Sequence, residues 1–124
     1  MAEQIIMLGT GNAVVKDCFN TCFILKTDNE LLMVDAGGGN GILSQLQRAS
    51  VEISDIHNLY ITHCHPDHIL GAVWIVRMVT AAMLSCKYSG DFTVYSHKKG
   101  IDTLLTICNL VLPAKNMAFV GKSV

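Results

Sequence analysis

Apolar and polar residues follow two different periods along the chain, and these periods predict its strands and helices. Short apolar runs bounded by turn-forming residues predict β-strands. The predicted strands are QIIML (4–8), TCFILKT (21–27), LLMVD (31–35), NLYIT (58–62) and FTVY (92–95). The turn DNE joins the second strand to the third, which predicts a β-hairpin.

Three further segments have apolar residues at helical spacing. The first follows the glycine cluster AGGGNG, and Asn40 is available as its N-cap. The second runs from about Ile69 to Cys86 and is apolar enough to be a buried core helix. Ser96 can cap the third helix, and Pro113 ends it. Strands that alternate with helices in this way predict an α/β fold.

Size and charge narrow the classes of protein that the chain can belong to. At 124 residues, 51% of them hydrophobic, residues 1–124 have the size of one domain with ample material for a core. Arg77 lies at the centre of the most apolar segment, so we expect no membrane partner and place Trp74, Met78 and Met83 in the core. The net charge is −1 and lysines and arginines form no run, which argues against a nucleic-acid-binding stripe.

The cysteines indicate a reducing environment. They are odd in number and have no CxxC spacing, so they do not form the framework of a disulfide-rich domain. Their positions are Cys18, Cys22, Cys64, Cys86 and Cys108. We therefore expect a cytoplasmic location.

The stretch THCHPDHILG (62–71) carries the densest chemistry of the sequence, directly after the predicted strand NLYIT. Side chains alternate along extended backbone, so His63 and His65 point to one side and Cys64 points away to pack. Pro66 then turns the chain and carries the next two polar residues to a second point. The four candidate metal ligands are His63, His65, Asp67 and His68.

These side chains are a suitable set of metal ligands. Imidazole and carboxylate bind Zn²⁺, Mn²⁺ or Fe, and two such ions about 3.5–4 Å apart can hold a hydroxide between them as nucleophile. A single histidine after a strand is more often an ordinary polar residue. Three histidines and an aspartate between a buried strand and a buried helix have little structural reason to occur together, which favours a metal site.

The HxHxDH motif and its surroundings resemble the metallo-β-lactamase fold hydrolases. The opening LGTGNA (8–13), the pair Asn20 and Thr21, the stretch VDAGGG (34–39) and the block ITHCHPDHILG together are most similar to the ribonuclease Z branch, which cleaves phosphodiester bonds in precursor tRNA. The resemblance covers nearly the whole chain. It implies the N-terminal half of a four-layer αββα fold, with a mixed sheet and helices on one face of it.

The resemblance also implies roles for individual residues. His63 and His65 would ligate one divalent ion, and Asp67 and His68 the other, with Zn²⁺ as the expected metal. Asp67 would also be the catalytic proton acceptor. Asp35, at the end of a strand, would hydrogen-bond to a ligating histidine rather than bind the metal, because a metal-bound imidazole usually needs a carboxylate or carbonyl on its other nitrogen. The alternative is that Asp35 is a turn-forming aspartate before glycines.

The family completes its site with a histidine, an aspartate and a final histidine, which have no matching motif in this sequence. His57 precedes the strand that His63 follows, which places it at the other end of that strand. His97 follows a strand, but it comes too early to match and is predicted to start a helix. An isolated half of the fold would expose an apolar sheet face, so we expect a homo-oligomer.

Three functions remain open. The first is a metal-dependent, ribonuclease Z-like phosphodiesterase that acts on a phosphodiester substrate such as RNA through the full-length parent protein. The second keeps the fold but changes the substrate to a thioester, lactone, lactam or cyclic nucleotide. The third is an incomplete, catalytically inactive module that binds metal or associates with itself, because two ligands per ion fall short of the three that are usual in catalytic zinc sites.

Overall fold

The computed structural model describes residues 3–14, 16 and 18–120; the ends of the predicted domain, 1–2 and 121–124, lie outside the described residues. The strands are β1 (Gln4–Gly9), β2 (Cys22–Lys26), β3 (Leu31–Val34), β4 (Asn58–Tyr60) and β5 (Thr93–Tyr95). The helices are α1 (Gly41–Arg48), α2 (Pro66–Leu84), α3 (Lys98–Val111) and α4 (Ala114–Met117), with a short 3₁₀ helix at Ile53–Asp55.

The strands form one mixed sheet in the order β1-β2-β3-β4-β5. β1 is antiparallel to β2, and β2 is antiparallel to β3 because the tight turn between β2 and β3 reverses the chain. β3, β4 and β5 are parallel, because α1 and α2 provide the crossovers that parallel neighbours need. All five predicted strands are present with ends shifted by a few residues at most, and the predicted α/β fold is confirmed.

One face of the sheet packs against the helices and forms the core. Ile24, Met33 and Leu59 are paired in register across β2, β3 and β4, and each is 0% exposed. From the helical side, Ile75 and Val79 of α2 are also fully buried in this core. Alternation along each strand therefore sends one set of side chains into a closed hydrophobic layer.

The other face of the sheet carries exposed apolar side chains on four of its five strands. Ile5 pairs with Leu25, and Tyr60 pairs with Tyr95, so these side chains are neighbours across the strands. We call this surface the open sheet face; its exposed members are Ile5, Met7, Leu25, Tyr60 and Tyr95, each at least 40% exposed. Its presence agrees with the expectation that one half of the αββα fold exposes an apolar sheet.

The structure corrects the start of the long helix. The expected span was Ile69–Cys86, and the observed helix is Pro66–Leu84. Pro66 suits the first helical position because its fixed φ is helical. Proline has no N–H, but an N–H at this position would have no acceptor within the helix. Asp67 and His68 therefore lie in the first turn of α2 rather than in a loop.

Trp74 was expected in the core, and the structure shows that this was wrong. Its side chain is 36% exposed, and the guanidinium carbon of Arg77 lies 5.9 Å from its ring centroid. α2 is apolar on nearly every side, so helical spacing alone did not show which side faces the sheet. Met78 and Met83 are half-buried, as expected for residues at the edge of the core.

The predicted helix caps are only partly correct. Asn40 occupies the N-cap position of α1 but makes no side-chain capping hydrogen bond. Ser96 does not cap α3; His97 has that position, and the helix begins at Lys98. The Ser96 hydroxyl instead donates to the carbonyl oxygen of Ile61 at 2.9 Å and ties the end of β5 to the end of β4.

Within the described residues, α2 is long and apolar enough to cross a membrane by length and composition alone. Core helices of soluble proteins pass the same test. Eight residues of α2 are buried inside the fold, and its first turn belongs to the polar cluster described below. The prediction of a buried core helix is therefore only partly correct, because α2 packs into the core but its most apolar window is only 44% buried.

Gly71 lets α2 approach the loop after β3 closely. Its N–H donates to the carbonyl oxygen of Gly37 at 2.8 Å. A Cβ atom built on Gly71 would lie 1.9 Å from the carbonyl oxygen of Ala36, which is a backbone atom and cannot rotate away. This contact sets the distance between the first turns of α2 and the end of β3.

Gly71→Ala should therefore destabilise the protein, although glycine to alanine in an ordinary helix stabilises it by up to about 1 kcal/mol. We expect a loss of about 1–3 kcal/mol in the free energy of unfolding, because the methyl group must push α2 off the loop. Urea unfolding measures this. Gly39→Ala is the matched control, since a Cβ there meets nothing within 4 Å. A Gly71→Ala protein as stable as the wild type would contradict the close approach.

Candidate metal centre

The polar cluster lies where two parallel strands end and α2 begins. β3 ends at Val34 and is followed by Asp35, whose N–H donates to the carbonyl oxygen of Tyr60 at the end of β4 at 2.8 Å. The chain leaving β4 supplies Thr62 and His63. The carboxyl ends of adjacent parallel strands are a usual place for a functional site in α/β proteins.

The histidines of the motif meet one another as the alternation predicts. The ring of His63 lies edge-on to that of His65, with centroids 4.5 Å apart. The ring of His68 approaches His63 from the first turn of α2, with centroids 4.0 Å apart. Cys64 turns away and packs against the hydrophobic core.

Three of the four candidate ligands form one compact group. His63, Asp67 and His68 each offer one ligand atom, and these atoms all lie within 4.8 Å of one another. All three side chains are half-buried. His65 is exposed and lies outside this group of atoms, although its ring contacts His63. The division of the four residues into two pairs, one for each ion, stays a prediction.

Asp35 is the buried residue beneath this group. It is 5% exposed and has a φ of 58°, a left-handed conformation that aspartate adopts more readily than most residues. Its carboxylate accepts three hydrogen bonds, from the Thr62 N–H at 2.8 Å, the Thr62 hydroxyl at 2.7 Å and Nδ1 of His68 at 2.8 Å. The structure thus places Asp35 against a candidate ligand histidine.

His68 lies between two carboxylates. Its Nδ1 faces Asp35, and its Nε2 lies 3.0 Å from Oδ2 of Asp67. Carboxylate oxygens only accept hydrogen bonds, so the contact at Nε2 requires either a proton on that nitrogen or a cation that both atoms bind. An imidazole nitrogen and a carboxylate oxygen in this arrangement fit a divalent ion such as Zn²⁺.

The glycine motifs hold the loops around the cluster. Oδ1 of Asn20 accepts from the N–H of Gly38 at 3.1 Å, and its side-chain amide donates to the carbonyl oxygen of Asn12 at 2.9 Å. A Cβ atom on Gly38 would lie 3.7 Å from the Cα atom of Asp67. The segments LGTGNA and VDAGGG therefore meet beside the metal motif, and Asn20 connects them.

Cys22 is close to Asp35 but is unsuited to metal binding or nucleophilic attack. Burial, followed by the negative charge of Asp35, raises the pKa of the Cys22 thiol to about 12. It therefore stays a neutral thiol at physiological pH. None of the five cysteines, all of which are among the described residues, is in a disulfide.

The two remaining histidines lie outside the ligand group. His57 precedes β4 at the opposite end of the strand from His63, and its Nδ1 lies 2.9 Å from the Tyr88 hydroxyl and 3.0 Å from the Asp91 carbonyl oxygen. His97 is exposed immediately before α3, which confirms its prediction as a helix-start residue.

Thr62 is the one residue at the site that the sequence reasoning did not assign a role. Its hydroxyl contacts both Asp35 Oδ2 and His63 Nδ1, at 2.7 and 2.9 Å. A hydroxyl residue directly before the first histidine of the motif was a visible signal. Its meaning depends on the position of Asp35, which is 27 residues away in sequence.

Solved structures identify the fold. The chain superposes on the short form of human tRNase Z with a TM-score of 0.71 at 22% identity, covering 86% of this chain and 38% of that one. It superposes on the metallo-β-lactamase fold protein YhfI from Bacillus subtilis with a TM-score of 0.69 at 16% identity, covering 82% and 41%. The chain therefore has part of the metallo-β-lactamase fold, as the resemblance implied.

Sequence comparison identifies the family. The family model described as anti-Pycsar protein Apyc1 matches residues 3–106, and the chain belongs to this family. A ribonuclease Z from Streptomyces avermitilis is 30% identical over 78 residues, covering 62% of this chain and 25% of the relative. Anti-Pycsar protein Apyc1 from Paenibacillus xerothermodurans is 35% identical over 71 residues, covering 57% and 28%. The chain thus spans about a quarter of the length of these relatives, and the predicted ribonuclease Z-like relationship is confirmed over that part.

The geometry predicts that metal binding depends on His68. His68→Ala removes one candidate ligand and its contact with Asp35, so the purified chain should lose most of its bound Zn²⁺ by elemental analysis after dialysis. His97→Ala is the matched control, because His97 also follows a parallel strand but lies outside the ligand group. Equal metal contents in wild type and His68→Ala would refute the site.

Proposed function

We propose that the full-length protein carrying this chain is a metal-dependent phosphodiesterase. The similarity to metallo-β-lactamase fold and ribonuclease Z proteins supports a hydrolase of that superfamily. The observation that carries the proposal is the group of ligand atoms from His63, Asp67 and His68 within 4.8 Å of one another. Bound divalent ions would polarise a phosphoryl oxygen as Lewis acids and lower the pKa of water.

The residues of this chain have separate tasks in the proposed site. His63, His65, Asp67 and His68 are the proposed metal ligands, and Zn²⁺ is the proposed metal. Asp67 is also the proposed proton acceptor, because its carboxylate lies in the ligand group, in the first turn of α2, and is only half-buried. Asp35 is buried beneath them and holds His68 through its Nδ1.

We propose a cyclic nucleotide as the substrate. The family description names an anti-Pycsar protein, a role related to cyclic nucleotides, and this model matches residues 3–106. A cyclic nucleotide carries a single phosphodiester, so its binding does not need a long basic surface. The net charge of −1 and the absence of a lysine and arginine run in the sequence are consistent with a small substrate.

RNA is the second candidate substrate. Curated relatives of this chain are named ribonuclease Z, and a structural neighbour is a tRNase Z. An RNA substrate would require a basic surface from parts of the protein other than this chain. We place the protein in the cytoplasm, where its free thiols would stay reduced.

Hydrolysis by the full-length protein, supplied with Zn²⁺ or Mn²⁺, tests the proposed function. We expect turnover of a cyclic nucleotide and a fall of about 10²-fold or more in kcat for Asp67→Asn, because a general base contributes about 10²–10⁴-fold. Asp102→Asn removes an exposed carboxylate of α3 and should leave turnover unchanged. Cleavage of precursor tRNA alone would favour the second candidate.

The 124-residue chain by itself should have little or no hydrolytic activity in the same assay. The predicted pairing supplies two ligands for each ion, whereas catalytic zinc sites usually have three. In the full-length protein, undiminished hydrolysis by Asp67→Asn would overturn the proposed role of Asp67. Robust metal-dependent turnover by the isolated chain would overturn the expectation that it is inactive.

We also propose that the isolated chain associates through its open sheet face. Leu25 lies on β2 between Ile5 and Leu32, so a charge there would have to be buried in any sheet-to-sheet contact. Analytical ultracentrifugation should show a dimer or larger species for the wild type and a monomer for Leu25→Glu. Leu110→Glu is the control, because Leu110 is 79% exposed on α3. A monomeric wild type would end this proposal.

A further inference from the structure

The contacts of Thr62 determine where the protons of this hydrogen-bonded group lie. The Thr62 hydroxyl is 2.7 Å from Oδ2 of Asp35 and 2.9 Å from Nδ1 of His63. A hydroxyl has one hydrogen, and a carboxylate can only accept, so the hydrogen of Thr62 points to Asp35. Towards His63 the hydroxyl oxygen can therefore only accept a hydrogen bond.

This assignment fixes the tautomer of His63. Its Nδ1 must carry the hydrogen that it donates to Thr62, which leaves Nε2 with its lone pair free. His68 also has its Nδ1 against the buried carboxylate, because that nitrogen donates directly to Oδ2 of Asp35 at 2.8 Å. Nδ1 of His68 thus faces the buried carboxylate directly, and Nδ1 of His63 faces it through the Thr62 hydroxyl.

We propose that Thr62 is a positioning residue that relays the carboxylate of Asp35 to His63, so that one buried aspartate sets the metal-binding nitrogen of two histidines. Asp35 acts on His68 directly and on His63 through the Thr62 hydroxyl. The part of this inference that concerns metal binding rests on the proposed function. The tautomer of His63, in contrast, is a property of the metal-free chain. The N–H of Thr62 also donates to Oδ1 of Asp35, which holds Thr62 beside the carboxylate.

The chain contains an internal comparison for this arrangement. Ser96 precedes His97 at the end of the neighbouring strand, and its hydroxyl lies 3.2 Å from His97 Nδ1. That hydroxyl donates to the carbonyl oxygen of Ile61 rather than to a carboxylate. Ser96→Ala removes the hydroxyl that contacts His97, a histidine outside the ligand group. It is therefore the matched control for Thr62→Val.

Two substitutions, Thr62→Val and Thr62→Ser, distinguish the effect of the Thr62 hydroxyl from the effect of the side chain's shape. Valine keeps the shape and the backbone N–H bond to Asp35 Oδ1 but removes the relay, whereas serine keeps the hydroxyl. Long-range proton–nitrogen correlation spectra of ¹⁵N-labelled, metal-free chain at mildly alkaline pH report the tautomer of each histidine, with His63→Ala to assign the signal. We expect the Nδ1–H form of His63 in wild type and Thr62→Ser, and a shift towards the Nε2–H form in Thr62→Val.

Zn²⁺ titration of the same variants gives the second measurement. Thr62→Val should bind Zn²⁺ about 10- to 100-fold more weakly than wild type, the usual effect of losing a partner that orients a ligand. Thr62→Ser and Ser96→Ala should bind as wild type does. An Nε2–H tautomer of His63 in the wild type, or an unchanged tautomer in Thr62→Val, would overturn the relay. The predicted tautomer shift in a chain that binds no Zn²⁺ would support the relay and overturn the metal site of the proposed function.

Discussion

The carboxylate of Asp35 connects three segments that reach the site from different parts of the chain. It belongs to the end of β3, accepts two hydrogen bonds from Thr62 at the end of β4, and accepts a third from His68 in the first turn of α2. Each of these hydrogen bonds has a charged acceptor, and such bonds are stronger than neutral ones. Without the carboxylate, the strand ends and the helix would meet with unpaired donors in a half-buried region.

The close packing of α2 on the loop after β3 makes this connection possible. Gly71 allows backbone contact with Ala36, and Gly38 leaves room beside Asn20 and Asp67. The left-handed backbone at Asp35 then directs the chain from the strand into the glycine segment. Packing and polar contacts therefore support each other, because the hydrogen bonds to Asp35 need the helix at this distance and the glycines allow it.

Much of the fold could be predicted from the sequence because its signals are local. Alternation and turn residues predict all five strands of the described sheet, and the HxHxDH motif predicts the polar cluster. The start of α2 was placed too late, because Pro66 suits both a turn and a first helical position. Trp74 was misplaced because a helix that is apolar on nearly all sides does not indicate its buried side.

The role of Thr62 could not be predicted, because it depends on contacts between distant parts of the chain. Side-chain alternation gave the direction of His63, but not the group that its Nδ1 would meet. The Asp35 contact with His68 was expected only through family resemblance, and the second route from Asp35 to His63 requires the parallel pairing of β3 with β4. Long-range hydrogen bonds of this kind become visible only when the strand register is known.

The open sheet face and the candidate metal centre are close to each other on the same strands. A layer of protein that covers this face could therefore also bring further ligands to the site. Tyr60 and Tyr95 are exposed on that face, and Tyr60 lies only two residues before Thr62. A layer that covers these tyrosines would lie beside the carboxyl end of β4, which His63 and His65 follow. Burial of this apolar face supplies the free energy that holds such a layer in place, so further ligands carried by it would be positioned by hydrophobic packing rather than by the metal alone.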